Sequence, residues 1–312
     1  MDSFVGLLDG PRARGAFALR AVMAEPWAMR VAAESPLTLM ACIEGEFWIV
    51  PDDADPVHMC PGDVAVTRAP GSYNVSDRPE TPPQLVIHPG QNCCALDGRS
   101  LEKEMMHGVR TWGNDPGGST VFLVGAYESL GDISDRLLRA LPPILSLSGD
   151  QWESPLLALL CDEVTKDEPG QAAVLDRLLD LLLIAVLKVW FSRPDAEKPA
   201  WYQSQGDPIV GRALRIMHDD PAKAWTVQGL ATETGASRAS LARRFHDLVG
   251  EPPMTFLKNW RLALAADLLR DPTETVGTVA AKVGYGSPFA FSTAFKRVRG
   301  ISPQEHRATT TS

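Results

Sequence analysis

Short hydrophobic runs separated by turn residues fill the first 130 positions of the chain. Val, Ile, Leu, Phe and Thr concentrate between clusters of Gly, Pro and Asp, a pattern typical of strands joined by turns. The clearest runs cover residues 37–50, 63–70, 84–90 and 119–127. Repeated short strands of this kind predict an antiparallel β-sandwich or barrel.

The spacing of apolar residues becomes helical between residues 133 and 193. The run 170–191 is apolar around most of a helical circumference, so this helix has to be buried. One small barrel covers only one face of it, and we expect the other face to pack against a second subunit. Helices within 135–165 are the alternative cover inside one chain. The predicted seam consists of Leu178, Leu181, Leu182, Ala185 and Val189.

A polar, proline-bearing stretch without periodicity, residues 194–208, predicts a linker, and the chain is helical again after it. The pattern therefore predicts two domains. The first is an all-β barrel over 1–132, followed by a helical dimerisation segment over 133–193. The second is an all-α domain over 209–312.

The rear domain contains an internal repeat, residues 226–253 and 275–303. Each copy predicts a capped short helix, a glycine turn and a second helix closed by a glycine. This is the architecture of a helix-turn-helix, whose second helix enters the major groove of DNA. The matching pairs are Thr226 with Thr275, Leu230 with Val279, Ala231 with Ala280, Gly235 with Gly284, Ser237 with Ser287, Leu241 with Phe291, Phe245 with Phe295, Leu248 with Val298 and Gly250 with Gly300.

A run rich in Leu and Ala, residues 253–271, lies between the two copies and predicts a rigid helical spacer. Two recognition helices held about 34 Å apart would reach successive major grooves on one face of DNA. A plain helical hairpin explains one copy as well as a helix-turn-helix does. Two copies in register, joined by a long helix, favour DNA binding.

Charge is divided unevenly along the chain. The whole chain has a formal net charge of −9, yet residues 208–312 contain 14 basic and 9 acidic residues. A basic rear domain behind an acidic front predicts an anionic partner for the rear domain. Five cysteines, no signal-peptide pattern in residues 1–10 and no apolar run of membrane-spanning length favour a cytoplasmic protein with reduced thiols and no membrane partner.

Residues 208–307 resemble the DNA-binding domain of the AraC/XylS family of transcription regulators. The resemblance is carried by "SRASLARRFHDLVGEPPMTFLKNWRLALAADLL" (237–269) and "VAAKVGYGSPFAFSTAFKRVRGISPQEHR" (279–307). The front domain resembles the cupin-type sensor domain found in part of this family, through "CPGDVAVTRAP" (60–70). The resemblance implies a DNA-binding regulator rather than an enzyme, with double-stranded DNA, a small-molecule effector, a second copy of the chain and RNA polymerase as candidate partners.

The family pattern also assigns candidate DNA contacts. Arg243 is the strongest candidate, because a guanidinium can bond guanine O6 and N7 together. Arg238 and Arg244 are expected to meet phosphates or a neighbouring acid, and Lys296 and Arg297 the DNA backbone. The base-reading positions are Ala239, Ala242 and Arg243 in the first recognition helix and Phe289, Ala290 and Thr293 in the second. The side chains expected to face inward are Leu241, Phe245 and Leu248, and Phe291, Phe295 and Val298.

The rival hypothesis is a cupin-type enzyme or metal-binding protein whose helical tail binds nucleic acid or protein. Catalytic cupins hold a metal through an H-x-H pair and a later His. Residues 37–47 contain no His, and Tyr73 stands where many relatives have one. We therefore expect no catalytic residues, no bound metal and no cofactor.

Four residues remain as redox or metal candidates: His88, Cys93, Cys94 and His107. Their spacing matches no well-known zinc motif, and a bridge between adjacent cysteines is strained. Some cupin-bearing relatives sense oxidants through cysteines, although Val124 stands where those relatives often carry Cys. A small-molecule pocket inside the barrel is the leading interpretation. Its candidate lining, Trp27, Trp48 and Tyr73, fits an ordinary barrel core equally well.

Overall fold

The computed structural model describes residues 17–33, 35–69, 71–127, 141–152, 154–194 and 200–310. The predictions for residues 1–16 and for the helix over 134–140 lie outside these ranges. The described residues belong to two compact units, one containing 17–127 and 141–194 and the other containing 200–310.

The first unit is built on strands that form two sheets. One sheet has the order β10-β11-β1-β12-β3-β6-β13 and the other β5-β4-β7-β2-β8-β9. The strands are β1 (Phe17–Met23), β2 (Ala28–Val31), β3 (Leu37–Glu44), β4 (Phe47–Pro51), β5 (Val57–Met59), β6 (Val64–Arg68), β7 (Tyr73–Ser76), β8 (Leu85–His88), β9 (Asn92–Ala95), β10 (Met106–Gly108), β11 (Thr111–Trp112), β12 (Thr120–Tyr127) and β13 (Ile144–Leu147). The predicted β-rich, cupin-like first domain is confirmed.

Most strand pairs are antiparallel, as predicted, but β1 pairs with β11 and β2 with β8 in parallel. Buried side chains from both sheets form one core. Its aromatic centre is Phe122, whose ring lies 5.7 Å from that of Trp27 and 4.7 Å from that of Phe47. Aromatic rings at these separations bury large apolar areas and fix the spacing of the sheets.

Helices cover part of this unit: α1 (Glu102–Met105), α2 (Leu156–Val164) and α3 (Gln171–Ser192). Helix α3 lies close to β12, because a Cβ atom at Gly125 would approach Leu179 Cδ2 to 2.5 Å. A glycine at this position allows the helix to touch the sheet. The helical prediction for 133–193 is wrong at Ile144–Leu147, which forms β13 and pairs with β6.

The predicted seam of α3 also needs correction. Leu182 is completely buried inside the unit, whereas Leu181 is 50% exposed. The exposed stripe instead starts at Val174, which is 45% exposed, and continues through Leu181. Leu178, Ala185 and Val189 are half-buried and complete it at spacings of three and four residues.

The second unit is helical: α4 (Ala200–Gln203), α5 (Val210–Asp219), α6 (Val227–Thr234), α7 (Arg238–Val249), α8 (Pro253–Leu268), α9 (Val276–Lys282), α10 (Pro288–Arg299) and α11 (Pro303–Thr310). The linker prediction for 194–208 is wrong from Ala200 onward. Helix α4 lies there, and Ser204 is buried with its hydroxyl donating to the Leu248 carbonyl at 3.0 Å. No helix in the described ranges is long and apolar enough to cross a membrane.

Helix α8 joins two separate hydrophobic cores. Its first half contributes Phe256 and Leu257 to the core formed with α5, α6 and α7. Its second half contributes Leu262 and Ala265 to the core formed with α9 and α10. The two helix-turn-helix motifs are therefore built on opposite ends of one continuous helix.

A short loop before α6 connects the two motifs a second time. Arg261 of α8 donates hydrogen bonds to the carbonyls of Pro221 and Lys223, at 2.6 and 2.7 Å. Gly284, in the turn of the second motif, has φ +78°, and a Cβ atom there would lie 2.5 Å from the Ala222 carbonyl oxygen. Glycine is required both by the left-handed backbone and by this close approach.

We expect Gly284→Ala to destabilise the second unit more than Gly235→Ala does. Both glycines have positive φ, where a non-glycine residue costs about 1–2 kcal/mol, but an added Cβ at Gly235 meets nothing within 4 Å. Urea unfolding of the full chain measures the total change, and hydrogen exchange of residues 276–299 locates it. Equal losses in the two variants would contradict the role assigned to the Ala222 contact.

Candidate DNA-binding helices and sensor cavity

The first helix-turn-helix is defined by side-chain caps and left-handed glycines. Thr226 Oγ1 accepts from the Gly229 N–H at 3.0 Å and begins α6. Ser237 Oγ accepts from the Ser240 N–H at 3.2 Å and begins α7. Gly235 ends α6 and Gly250 ends α7, both with positive φ. These caps and glycines set the ends of α6 and α7 and therefore the turn between the two helices.

The second motif repeats the same construction. Thr275 and Thr278 form a reciprocal capping box at the start of α9. Ser287 Oγ accepts from the Ala290 N–H at 3.2 Å, Pro288 occupies the first turn of α10, and Gly300 ends that helix. The turn between α9 and α10 therefore leaves one face of α10 exposed, as the turn between α6 and α7 does for α7.

The predicted outward face of α7 is exposed at Arg238, Ala239 and Arg243 but not at Ala242. Leu241 and Phe245 are fully buried, and Ala242 is half-buried beside them. Leu248 was expected to face inward, but it is exposed in the last turn of α7, beyond the core. The exposed candidates on this helix are Arg238, Ala239, Arg243 and Arg244.

Arg244 is engaged by an acid of its own unit. Its Nε and one terminal nitrogen donate to Asp207 Oδ2 at 2.8 and 2.6 Å. Asp207 Oδ1 also accepts from the backbone N–H groups of Ile209 and Val210. Partial burial alone would raise the pKa of Asp207, but the hydrogen bonds from Arg244 and these two amides lower it overall. We expected Arg244 to meet either a phosphate or a neighbouring acid, and in the structure Arg244 contacts the acid.

The open face of α10 is apolar at its start and basic at its end. Phe289 is 82% exposed, although phenylalanine is usually buried. The Thr293 hydroxyl donates to the Phe289 carbonyl at 3.0 Å, so this residue offers a methyl group and an acceptor outward. Ala290, Lys296 and Arg297 are exposed on the same helix. Val298, expected to be inward, is exposed in the last turn for the same reason as Leu248.

The first unit contains a partly open cavity of about 120 Å³ between its two sheets. Its lining is mostly aliphatic, aromatic and sulfur-containing, with four residues whose side chains end in a hydroxyl, amide or carboxyl group. The apolar lining residues include Phe17, Leu19, Met29, Met40, Val75, Ile87, Trp112, Phe122 and Val124; the polar-group carriers are Thr38, Tyr73, Gln91 and Glu102. Apolar lining with a few polar groups is typical of small-molecule sites.

The three sequence candidates for an effector pocket occupy different places. Tyr73 lines the cavity, and its hydroxyl accepts from Thr67 Oγ1 at 3.0 Å. Trp27 is fully buried, and its ring stacks on that of Phe122, which lines the cavity. Trp48 lies on the other face of β4 from the core residues Phe47 and Ile49, and its ring stacks on His58 at 4.3 Å.

Two polar lining residues carried no sequence signal that pointed to the cavity. Gln91 has φ +60°, which is uncommon for a residue other than glycine, and its side chain donates to Ser35 Oγ at 3.1 Å. Glu102, at the start of α1, is exposed and also lines the cavity. Gln91 follows β8 and Glu102 follows β9, and the pairing of these two strands with each other and with β2 places both residues at the cavity.

Cys93 lines the cavity and is buried, with its Sγ atom 3.9 Å from Met105 Sδ. Burial raises the pKa of the Cys93 thiol to about 11. Because the thiolate is the reactive form, this environment makes Cys93 a slow nucleophile. Cys94, on the next position of β9, is half-buried and faces the other side of the sheet.

The two histidine candidates lie apart from these cysteines. His88 is exposed at the end of β8, opposite Asn92, and His107 Nε2 lies 2.9 Å from the Gly113 carbonyl oxygen. No three of the four metal or redox candidates bring ligand atoms within 4.8 Å of one another. Within the described ranges, the group that does so is Glu46, His58 and Cys60.

We predict that Cys93 resists alkylation in the folded chain. A thiol with a pKa near 11 has roughly 300-fold fewer thiolates at pH 7 than an ordinary cysteine, and we expect iodoacetamide to label it at least ~10-fold more slowly than in the urea-unfolded chain. Its rate should climb with pH toward 11. Peptide mass spectrometry measures each cysteine separately, and Cys93→Ser identifies the signal. Equal rates in folded and unfolded chains would refute the assignment.

Known protein families match both the front and the rear unit of the chain. A family model described as cupin matches residues 2–192, and one described as helix-turn-helix domain matches residues 230–309. A putative AraC-like transcription regulator of Streptomyces lividans is 31% identical, over 98% of each chain. One of Streptomyces antibioticus is 30% identical, also over 98% of each.

A solved DNA-binding domain, that of the global transcriptional factor AdpA in complex with a target DNA, is 31% identical over 33% of this chain and 93% of that chain, with a TM-score of 0.32. The two Streptomyces relatives match the chain from end to end, and the two family models divide it into the same front and rear parts. The chain therefore belongs to the AraC-like transcription regulators, with a cupin domain in front of a helix-turn-helix domain that binds DNA.

Proposed function

We propose that the front cavity binds a small, mainly apolar effector and that this binding alters DNA recognition by α7 and α10. The observation that carries the proposal is the cavity itself, whose wall is apolar except for a few polar groups. An engineered cavity of about 150 Å³ in another protein binds benzene, so this volume suits a molecule of similar size. Gln91 and Glu102 would orient a hydrogen-bonding group of that molecule.

Small-molecule sensing is favoured over oxidant sensing by the state of Cys93. The thiol nearest the cavity is buried, with a raised pKa, and lies against a thioether. Redox-sensing cysteines are usually accessible and have lowered pKa values. Cys94 remains as the half-buried alternative.

The proposed regulator is not an enzyme, and its cavity works without a catalytic cofactor. No histidine is among the described residues that line the cavity, so the H-x-H chemistry of catalytic cupins has no ligands there. Because the partner of the rear domain is DNA, a cytoplasmic location belongs to the same proposal. RNA polymerase stays a candidate partner, as the family resemblance implies.

The cavity proposal predicts that fluorobenzene binds the full chain and that Val124→Trp abolishes the binding. Val124 lines the cavity, and an indole there would fill the space. Leu96→Trp is the matched control, because Leu96 is 68% exposed outside the cavity. Ligand-observed fluorine NMR measures binding. The proposal fails if the parent chain binds no fluorobenzene or if Val124→Trp binds it equally well.

For DNA, we assign base reading chiefly to Arg243 and to the apolar start of α10. Arg243 is exposed on α7 and has no ion-pair partner within the part of the chain that the structure describes. Phe289, Ala290 and the methyl group of Thr293 suit contacts with thymine methyl groups. Arg238, Lys296 and Arg297 would meet phosphates, which fixes register without reading sequence.

Arg243→Ala should weaken binding to the selected operator by about 1–3 kcal/mol and relax one guanine position. Arg244→Ala is the matched control on the same helix. Because Arg244 is paired with Asp207, we expect it to leave base preference unchanged. The operator is first selected from random duplexes with the full chain, and fluorescence anisotropy then compares single-base variants. Unchanged preference in Arg243→Ala would show that the reading face is assigned wrongly.

We also propose that the chain forms a homodimer through the exposed stripe of α3. The stripe runs from Val174 to Val189 on the side of α3 that does not face the barrel core. Apolar residues at spacings of three and four residues suit packing against a symmetric helix. A second chain also supplies a second rear domain for a second DNA half-site.

Leu181→Asp should convert the dimer to a monomer at micromolar concentration, because it places a charge at the centre of the stripe. Ala173→Asp is the control, since Ala173 is exposed on α3 away from the stripe. Leu182 is unsuitable for this test, because a charge at that buried position would unfold the unit. Sedimentation velocity reports the mass. A monomeric parent chain, or a dimeric Leu181→Asp variant, would rule out this interface.

A further inference from the structure

The hairpin of β4 and β5 carries a group of side chains that the regulatory function does not use. Phe47 pairs with Met59 and Trp48 with His58 across this hairpin. Phe47 and Met59 face the core, so the alternation of strands places His58 and its neighbours on the outer face. Continuing the register by one residue sets Glu46 opposite Cys60 on that face.

Three potential ligand atoms converge there. His58 Nε2 lies 3.2 Å from Glu46 Oε2, and His58 Nδ1 lies 3.9 Å from Cys60 Sγ. One ligand atom from each residue lies within 4.8 Å of the other two. The backbone pairing of β4 and β5 places the three residues next to one another on this face.

The surroundings hold two of these residues in place. The Trp48 ring stacks on the His58 imidazole, with the two planes 17° apart. The Cys60 N–H donates to Asp63 Oδ2 at 2.8 Å, and Asp63 Oδ1 accepts from the Gly149 N–H at 2.8 Å. The turn that carries the thiol is thereby tied to the segment before α2.

The donor set selects a class of metal. One thiolate, one imidazole and one carboxylate suit zinc, which binds each of them at about 2.0–2.3 Å in a tetrahedron. A nitrogen and a sulfur on one tetrahedral zinc are about 3.6 Å apart, close to the 3.9 Å between His58 Nδ1 and Cys60 Sγ, so Nδ1 is the nitrogen that would bind the ion. A hard cation such as Mg²⁺ or Ca²⁺ prefers oxygen ligands and fits this group poorly.

We propose that Glu46, His58 and Cys60 form a zinc-binding site with one coordination position open to water. The site lies on the outer face of the hairpin, and none of its three residues lines the cavity. It is therefore distinct from the proposed effector site. Because β5 is the last strand of its sheet, a bound ion would fasten this edge strand to β4.

The test uses the full, tag-free chain after chelator treatment, titrated with Co²⁺ and with Zn²⁺. We expect one Co²⁺ per chain, with the visible bands of tetrahedral cobalt and a thiolate-to-cobalt charge-transfer band that Zn²⁺ displaces. Cys60→Ala should remove the charge-transfer band. His58→Ala and Glu46→Gln should each weaken binding by at least 10–100-fold, the loss typical of supporting residues at metal sites.

Cys94→Ala and Cys161→Ala are matched controls, because both cysteines are also half-buried and lie elsewhere. Both controls should bind cobalt as the parent does. Zn²⁺ should also raise the melting temperature of the parent but not of Glu46→Gln. Because Glu46 is exposed, this substitution should leave the fold intact, so a missing shift would reflect lost zinc binding. Absence of binding by the parent, or a charge-transfer band that persists in Cys60→Ala, would overturn the proposal.

Discussion

The architecture of the rear domain depends on burying both ends of α8 in different cores. Phe256 and Leu257 complete one core, and Leu262 and Ala265 complete the other. Most helical stability in proteins comes from tertiary packing, so the packing at both ends maintains α8. The two motifs consequently share one rigid element, and the Arg261 hydrogen bonds to the preceding loop restrain their relative rotation further.

The two recognition helices present different chemistry on this common support. Helix α7 exposes arginines, of which Arg243 lacks an acidic partner among the described residues. Helix α10 begins with Phe289 exposed and ends with basic residues. One half of a DNA site would then be read by hydrogen bonds to base edges, and the other by apolar contact and by fit to the backbone.

The fold could be predicted from the sequence where local conformational preferences agree with tertiary packing. Thr226, Ser237 and Gly235 specify caps and a turn within a few residues, and their repetition made the rear fold predictable. Ile144–Leu147 shows the opposite case, because pairing with β6 decides its conformation and lies far away in the chain. On α3, spacing identified an apolar helix and placed Leu181 and Leu182 in one seam, but the packing of the first unit buries Leu182 and leaves Leu181 exposed. Gln91 and Glu102 line the cavity because β8 and β9, the strands that precede them, pair with each other and with β2.

The pairing of Arg244 with Asp207 has a consequence for the salt dependence of DNA binding. A basic side chain strengthens DNA binding partly because it releases condensed ions from the phosphates. Asp207 is already a fixed counterion for Arg244, held by two backbone amides as well. A phosphate that approached Arg244 would have to displace a carboxylate that cannot diffuse away. Arg244 therefore counts among the basic residues of α7, but it adds little to the number of ions that DNA binding releases.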